Sequence, residues 1–300
     1  MGTLATHVKA TPKTRVLVAV NKFHALQYPQ DHCVEDLANR LLNHLLKDLP
    51  EGVVVPSAWL SKRGISPQLV HKYVASGWLT ALAHGAYARH AALPVDWQGV
   101  VLALQRLAQQ PIHVGGLSAL NLHGLAHYLP LGGESRIHLW NHGRGLARLP
   151  AWVSAIALSQ QFIFHRQQLF EAAIASEGVA HLPTRVRDWT LAASSPERAI
   201  LEVLSLVDDT SAGFTHAAEL FEGLSALRPA LVQQLLEGCA SIKVKRLFLF
   251  LVTRQDAPWS RKLKINRVTL GQGKRQVTRG GRLDVRFSIT VPEQFSVTRG

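Results

Sequence analysis

The 300-residue sequence holds two cysteines, one methionine and only 20 acidic side chains. Cys33 and Cys239 stand far apart, with no CxxC and no Cys/His ligand spacing around them. A disulfide framework and a structural zinc site are therefore excluded, and both residues are expected as buried, reduced thiols. Long apolar runs are missing as well: the longest, residues 247–252, falls far short of the roughly 18 residues a membrane span needs. The polar start MGTLATHVKATPKTR lacks the apolar region of a signal peptide. A cytoplasmic protein without a membrane partner is expected. No GxGxxG, GKT/S, HExxH, GxSxG or paired acidic motif stands in a suitable context, so no catalytic residue, metal or cofactor is predicted. Fixed-period repeats and low-complexity tracts are also missing.

A hydrophobic content of 47% is enough for two domains or one large one, each with a core. Net charge is +13, which favours an anionic partner such as nucleic acid. Its distribution is uneven. Residues 171–240 carry four basic and ten acidic side chains, whereas residues 241–300 carry fourteen basic and three acidic ones. Such a basic block serves as a solvated face, an RNA contact or a docking surface for an acidic partner.

Residues 1–30, with VLVAV between Pro12 and Pro29, read as an N-terminal arm or docked strand. From Asp31 onward, Cys33, Leu37, Leu41 and Leu45 recur at helical spacing until Pro50 and Gly52. Pro56 opens a second short helix, PSAWLSKR, stopped by Gly64. In the third, Ser66 suits the N-cap and Pro67 the first helical position. Leu69, Val70, Tyr73 and Val74 share one face, leaving Gln68, His71, Lys72 and Ala75 on the other. Gly77 ends this helix, and WLTALA, a turn at His84-Gly85 and AYAR form a hairpin. Three helices and a hairpin spell a winged helix-turn-helix over residues 31–92.

Residues 93–300 read as a mixed helix and strand domain, giving an α+β chain overall. Helices are expected at residues 97–110, after Gly115-Gly116, and at SSPERAILEVLSLV, with Ser195 as cap and Pro196 and Glu197 in the first turn. Two more follow at residues 215–224 and 228–239. Strands are expected at residues 136–140, 151–158, 162–165 and 186–192, with short strands over residues 268–292. The run KVKRLFLFLVTR fits either a helix or a buried strand.

A helix-turn-helix places its recognition helix in the major groove, where residues near the helix start reach base edges. Gln68, His71 and Lys72 are the base-edge candidates, with Lys62, Arg63, Ser66, His84 and Arg89 positioned for the backbone. A three-helix unit used for protein docking would look similar. LGQGKR (270–275) is glycine-rich and basic but lacks Walker spacing. His123 and His127 stand at i, i+4, a spacing that binds metal, without a third ligand. Glu197, Arg198 and Glu202 suggest an acid/base group, although Glu202 pairs equally well with Arg198 at i+4.

Five stretches together, GISPQLVHKYVASGWLTALAHGAY (64–87), VGGLSALNLHGLAHYL (114–129), SSPERAILEVL (194–204), KVKRLFLFL (243–251) and LGQGKR (270–275), resemble the AbiEi antitoxins of type IV toxin–antitoxin systems. The resemblance spans roughly residues 50–295 and leaves the first fifty outside its pattern. It implies an N-terminal winged helix that binds repeated operator half-sites and represses its own operon. It also implies a C-terminal antitoxin domain that neutralises a nucleotidyltransferase-like toxin. The DNA-contacting part then falls on residues 62–89. The charge asymmetry suggests Lys243, Lys245, Arg246, Lys274 and Arg275 as a partner surface, and a monomer is expected in solution. Two other readings stay open. One is a stand-alone winged-helix regulator whose C-terminal domain senses a ligand or partner. The other is a nucleic-acid-modifying enzyme, which needs carboxylates clustered among Glu197, Glu202, Asp284 and the histidines.

Overall fold

The computed structural model describes residues 29–91, 93–126, 135–143, 145–255 and 257–296. The chain divides into two compact units, one up to Asp48 and one from Leu49 onward. In the first, helix α1 occupies Pro29–Asp48, where the apolar spacing predicts it. The expected arm lies almost wholly outside the described residues, as does the side chain of Cys33.

The second unit begins with strand β1 (Val54–Pro56), helix α2 (Ser57–Lys62), helix α3 (Pro67–Ala75), strand β2 (Leu79–Ala83) and strand β3 (Ala86–Arg89). The cap is as expected: Ser66 Oγ accepts from the Leu69 amide at 3.2 Å. At the far end, Trp78 N–H donates to Tyr73 O and Gly77 N–H to Val74 O, the paired bonds of a Schellman stop. That stop needs a left-handed residue, and Gly77 supplies it at φ +76°. The three strands pair antiparallel in the order β1-β3-β2, with Val55 opposite Tyr87. Strand β1 leaves no signal in the sequence, because it is three residues long and buried throughout and so shows no alternation.

Helix α4 (Trp97–Leu102) runs on as a π-helical turn, Ala103–Leu107, and stops before Pro111. Gly99 lies against the chain at Gly52: a Cβ there would stand 1.9 Å from the Gly52 carbonyl oxygen. Strand β4 (Ile112–Val114), helix α5 (Gly116–Leu122), strand β5 (Ser135–Asn141), helix α6 (Ala151–Ala155) and strands β6 (Gln160–His165), β7 (Val179–Pro183) and β8 (Thr190–Ser194) follow. The strands form one mixed sheet, order β6-β5-β4-β8-β7. Two expectations need correction. Residues 151–155 are helical rather than extended, because Trp152, Val153 and Ile156 share a buried helical face behind Pro150. The strand predicted at residues 186–192 begins only at Thr190, since Arg187 has φ +44° and Trp189 N–H turns back to Val186 O.

Helices α7 (Pro196–Leu206), α8 (Ser211–Glu222), α9 (Pro229–Glu237) and α10 (Ile242–Gln255) come next. Ser195 precedes α7 as expected, though its side chain makes no capping hydrogen bond. The ambiguous KVKRLFLFLVTR run is the helix α10, with residues 244–252 all buried. The chain closes with short strands β9 (Arg275–Gln276), β10 (Arg282–Asp284) and β11 (Ile289–Val291).

Strand alternation decides what each sheet face carries. Ile112, Val114, Ile137, Leu139, Leu191 and Ala193 point into a cluster shared with α4 and with Val53, Val54 and Ala86 of the wing. Their neighbours His113, His138, Trp140 and Ser194 therefore take the opposite face. A second cluster gathers α5, α7 to α10 and the last small sheet. Among the described residues, no helix is long and apolar enough to cross a membrane.

Candidate nucleic-acid interface and a buried polar hub

Helix α3 separates its two sides as its pattern dictates. Val70 and Tyr73 are each 5% exposed, whereas Gln68, His71, Lys72 and Ala75 are open to solvent. Lys62 and Arg63 are exposed at the end of α2, where the Arg63 guanidinium lies 3.9 Å above the Trp59 ring. His84 is exposed at the tip of the wing and Ser66 at the start of α3. Arg89 is half-buried and drawn toward Glu51 at 3.9 Å. Trp78, 47% exposed between α3 and the wing, escapes the sequence reading because a lone tryptophan after a glycine has no periodicity to mark it.

The basic C-terminal surface is smaller than expected. Lys274 and Arg275 are exposed, but Lys245 and Arg246 are only 5% and 3% exposed. Those two leave the predicted surface because their head groups are used internally. Arg246 donates to the carbonyls of Leu270 (2.8 Å), Gly271 (3.1 Å), Gly273 (2.5 Å) and Ser288 (3.1 Å). Lys245 Nζ reaches Glu237 O at 3.4 Å. Lys243 is half-buried and donates to Val207 O, and burial pushes its ammonium pKa down against the pull of Asp208 and Asp209. The LGQG loop thus turns carbonyls inward onto a guanidinium, the opposite polarity from a phosphate cradle.

On the face of the large sheet opposite the wing lies a polar hub centred on Glu202, which has no exposed surface. Its carboxylate accepts from His113 Nε2 (2.8 Å), Gly116 N (2.8 Å), Ser194 Oγ (2.7 Å) and Arg198 Nε (2.8 Å). Arg198 Nη1 also donates to the carbonyls of Ala175 and Glu177, at 2.8 Å each. Burial alone would raise the Glu202 pKa, but His113, Arg198 and Ser194 bring it down to about 2. Burial lowers the His113 pKa against that carboxylate, leaving a neutral ring whose Nε2–H points at Glu202. Its Nδ1 and His142 Nδ1 share a 3.2 Å hydrogen bond. His142 is held to about 4, first by burial and then by His113, Arg198 and His181. Next to it, His138 and His165 share a 2.8 Å hydrogen bond, and His165 stacks on Trp140 with centroids 4.3 Å apart. Gly115 permits this packing: a Cβ there would stand 2.3 Å from Trp140 Cδ1 and 2.4 Å from Glu202 Oε2.

The structure separates the three groups singled out at the start of α7. Glu202 and Arg198 form the expected i, i+4 pair inside the hub. Glu197 belongs elsewhere, gripped by the Arg228 guanidinium at 2.9 Å through both carboxylate oxygens. Its pKa falls to about 2, as the Arg228 hydrogen bonds outweigh burial. Asp284 accepts the Phe287 amide in a turn at 2.8 Å. His123 Nε2 lies 2.9 Å from Ser194 O, and His127 is outside the described residues. Among the described residues, no three His, Cys, Asp or Glu side chains come together as a metal set. Cys239 is buried, and burial raises its thiol pKa to about 11. His113 and His138 could have been found from their strands, where each imidazole sits between two apolar residues that face the other way, whereas His165 ends an apolar run in step with Ile163 and carries no such signal.

A capped helix with its polar side outward, followed by a hairpin whose second strand pairs with the preceding β1, is a winged helix-turn-helix arrangement. Two family models match the chain: one for the N-terminal domain of AbiEi antitoxin transcriptional regulators at residues 38–131, the other for the AbiEi antitoxin transcriptional regulators of type IV toxin–antitoxin systems at residues 134–292. The chain belongs to this family. Its fold is similar to that in the crystal structure of the RV2827C protein from Mycobacterium tuberculosis, with a TM-score of 0.51 at 17% identity, covering 85% of this chain and 91% of that one. No curated protein matches it.

Proposed function

We propose that this chain is a DNA-binding antitoxin that represses its own operon and neutralises a nucleotidyltransferase-like toxin, acting by binding rather than by catalysis. The observation that carries the DNA half is the outward placement of Gln68, His71 and Lys72 on a helix whose Val70 and Tyr73 are buried. Gln68 has the amide geometry for adenine, and Lys72 the donor for guanine or phosphate. Lys62, Arg63, Ser66, His84 and Arg89 hold the phosphate backbone, Arg63 with its plane steadied on Trp59. In this reading residues 31–92 supply DNA contact and residues from 93 onward the antitoxin function. The division is functional only, because α4 shares a hydrophobic cluster with the wing. The protein is a cytoplasmic monomer that pairs on repeated half-sites.

Gel shifts with DNA from upstream of the chain's own operon test the DNA half. Gln68→Ala and His71→Ala change which sequence is preferred, and Lys72→Ala weakens all duplexes alike. Unaltered shifts for all three would end the assignment. Growth rescue on co-expression with a cognate nucleotidyltransferase-like toxin tests the antitoxin half.

A further inference from the structure

The last small sheet, order β10-β11-β9, has features that DNA contact leaves unused. Its inner side is sealed by Val277, Phe287, Ile289 and Val291, all in the second hydrophobic cluster. The outer row runs Leu283, Thr290, Gln276 across the three strands. Leu283 is 38% exposed, and Val285, two residues on at the hairpin turn, is 82% exposed. Strand β10 is an edge, paired with β11 on one side only. Arg282 and Arg286 are exposed on this edge and its turn, and neither has an ion-pair partner among the described residues. The strand's own carboxylate, Asp284, is spent on the hairpin turn.

We propose that the β10 edge, with Leu283 and Val285, docks an extended acidic segment of a protein partner as a fourth strand. An open edge offers unpaired backbone donors and acceptors to an incoming strand. Cations along that edge repel a second copy of the same edge and attract carboxylates. Two apolar side chains at a two-residue interval match alternate side chains of a strand, whereas a phosphodiester backbone has no use for them. Only the partner's identity, the cognate toxin, rests on the antitoxin reading.

The test uses the full chain and a fluorescent peptide of about ten residues alternating Glu and Val, the length of an added strand. Its twins carry proline at alternate positions or Lys in place of Glu, and a random duplex of about 20 base pairs serves as the nucleic-acid probe. The Glu/Val peptide is expected to bind at least about tenfold more tightly than either twin. The double variant L283S/V285S loses about tenfold or more of that binding and keeps its duplex affinity. If that variant does not fold, R282E/R286E gives the same reading by shifting preference to the Lys peptide. Equal binding of the proline twin, an unchanged double variant, or a parallel loss of duplex binding would overturn the proposal, the last by making this a nucleic-acid face. Peptide binding without growth rescue would sink the antitoxin reading and leave the docking edge standing.

Discussion

Glu202 and His113, 89 residues apart in the chain, meet at 2.8 Å with neither side chain exposed. The bond ties α7 to β4, and the same carboxylate holds the first amide of α5 and the end of β8. Glu202→Gln keeps the shape and removes the charge on which buried Arg198 depends. Breaking one partner out of a buried ionic network costs about 3–5 kcal/mol. A loss of unfolding free energy of that size is expected from urea titration, and a change below about 1 kcal/mol would show the hub to be dispensable.

Acid sensitivity follows from the same groups. Glu197 and Glu202 titrate at about 2 in the fold against an ordinary 4.5, so the stability they contribute is whole above about 4.5 and is lost toward 2. His142 and His165 titrate at about 4 in the fold against 6.5, so the unfolded chain takes up protons first and stability already falls between 6.5 and 4. Urea midpoints should therefore decline steadily below about pH 6.5. The double variant H142Q/H165Q reduces the upper limb to the part supplied by His113 and His138, whose pKa values burial also lowers, and leaves the carboxylate limb in place.

Salt dependence separates phosphate contacts from base contacts. Lys72→Ala and Arg63→Ala each reduce the slope of log affinity against log salt by about 0.9. Gln68→Ala keeps the slope and costs about 1–3 kcal/mol at the preferred site only. Titrations at several salt concentrations with operator and random duplexes check both.

Arg246 organises the LGQG loop from within, so Arg246→Met takes the guanidinium donor from the carbonyls of Leu270, Gly271 and Gly273, while Ser288 O keeps the Arg275 amide. A loss of about 1–3 kcal/mol or more is expected, with faster hydrogen exchange around residues 270–276. Arg246→Lys does not rescue it, because an ammonium cannot reproduce the planar fork.

Two glycines separate conformational cost from crowding. Gly77→Ala meets no atom within 4 Å and pays only for its left-handed backbone, about 1–2 kcal/mol. Gly99→Ala drives a methyl against the Gly52 backbone and is expected to cost more, about 3 kcal/mol or above. Thermal melts of the two variants rank them.

The sequence by itself determined the local parts: α1 from its apolar spacing, α3 from Ser66, Pro67 and Gly77, and the polar flank of α3 from periodicity that tertiary contacts had no need to override. It also determined the i, i+4 pairing of Arg198 with Glu202, which lies within one helix turn. Only the tertiary structure decided the rest. The short buried strands β1 and β4 depend on partners far along the chain, and residues 151–155 became a helix because that conformation buries Trp152, Val153 and Ile156 together. Arg246 and Lys245 read as surface cations until the fold surrounded them with backbone carbonyls. The Glu202 hub draws on β4, α5, β8 and α7, and such convergence belongs to the packing of a sheet against a helix, which no local spacing encodes.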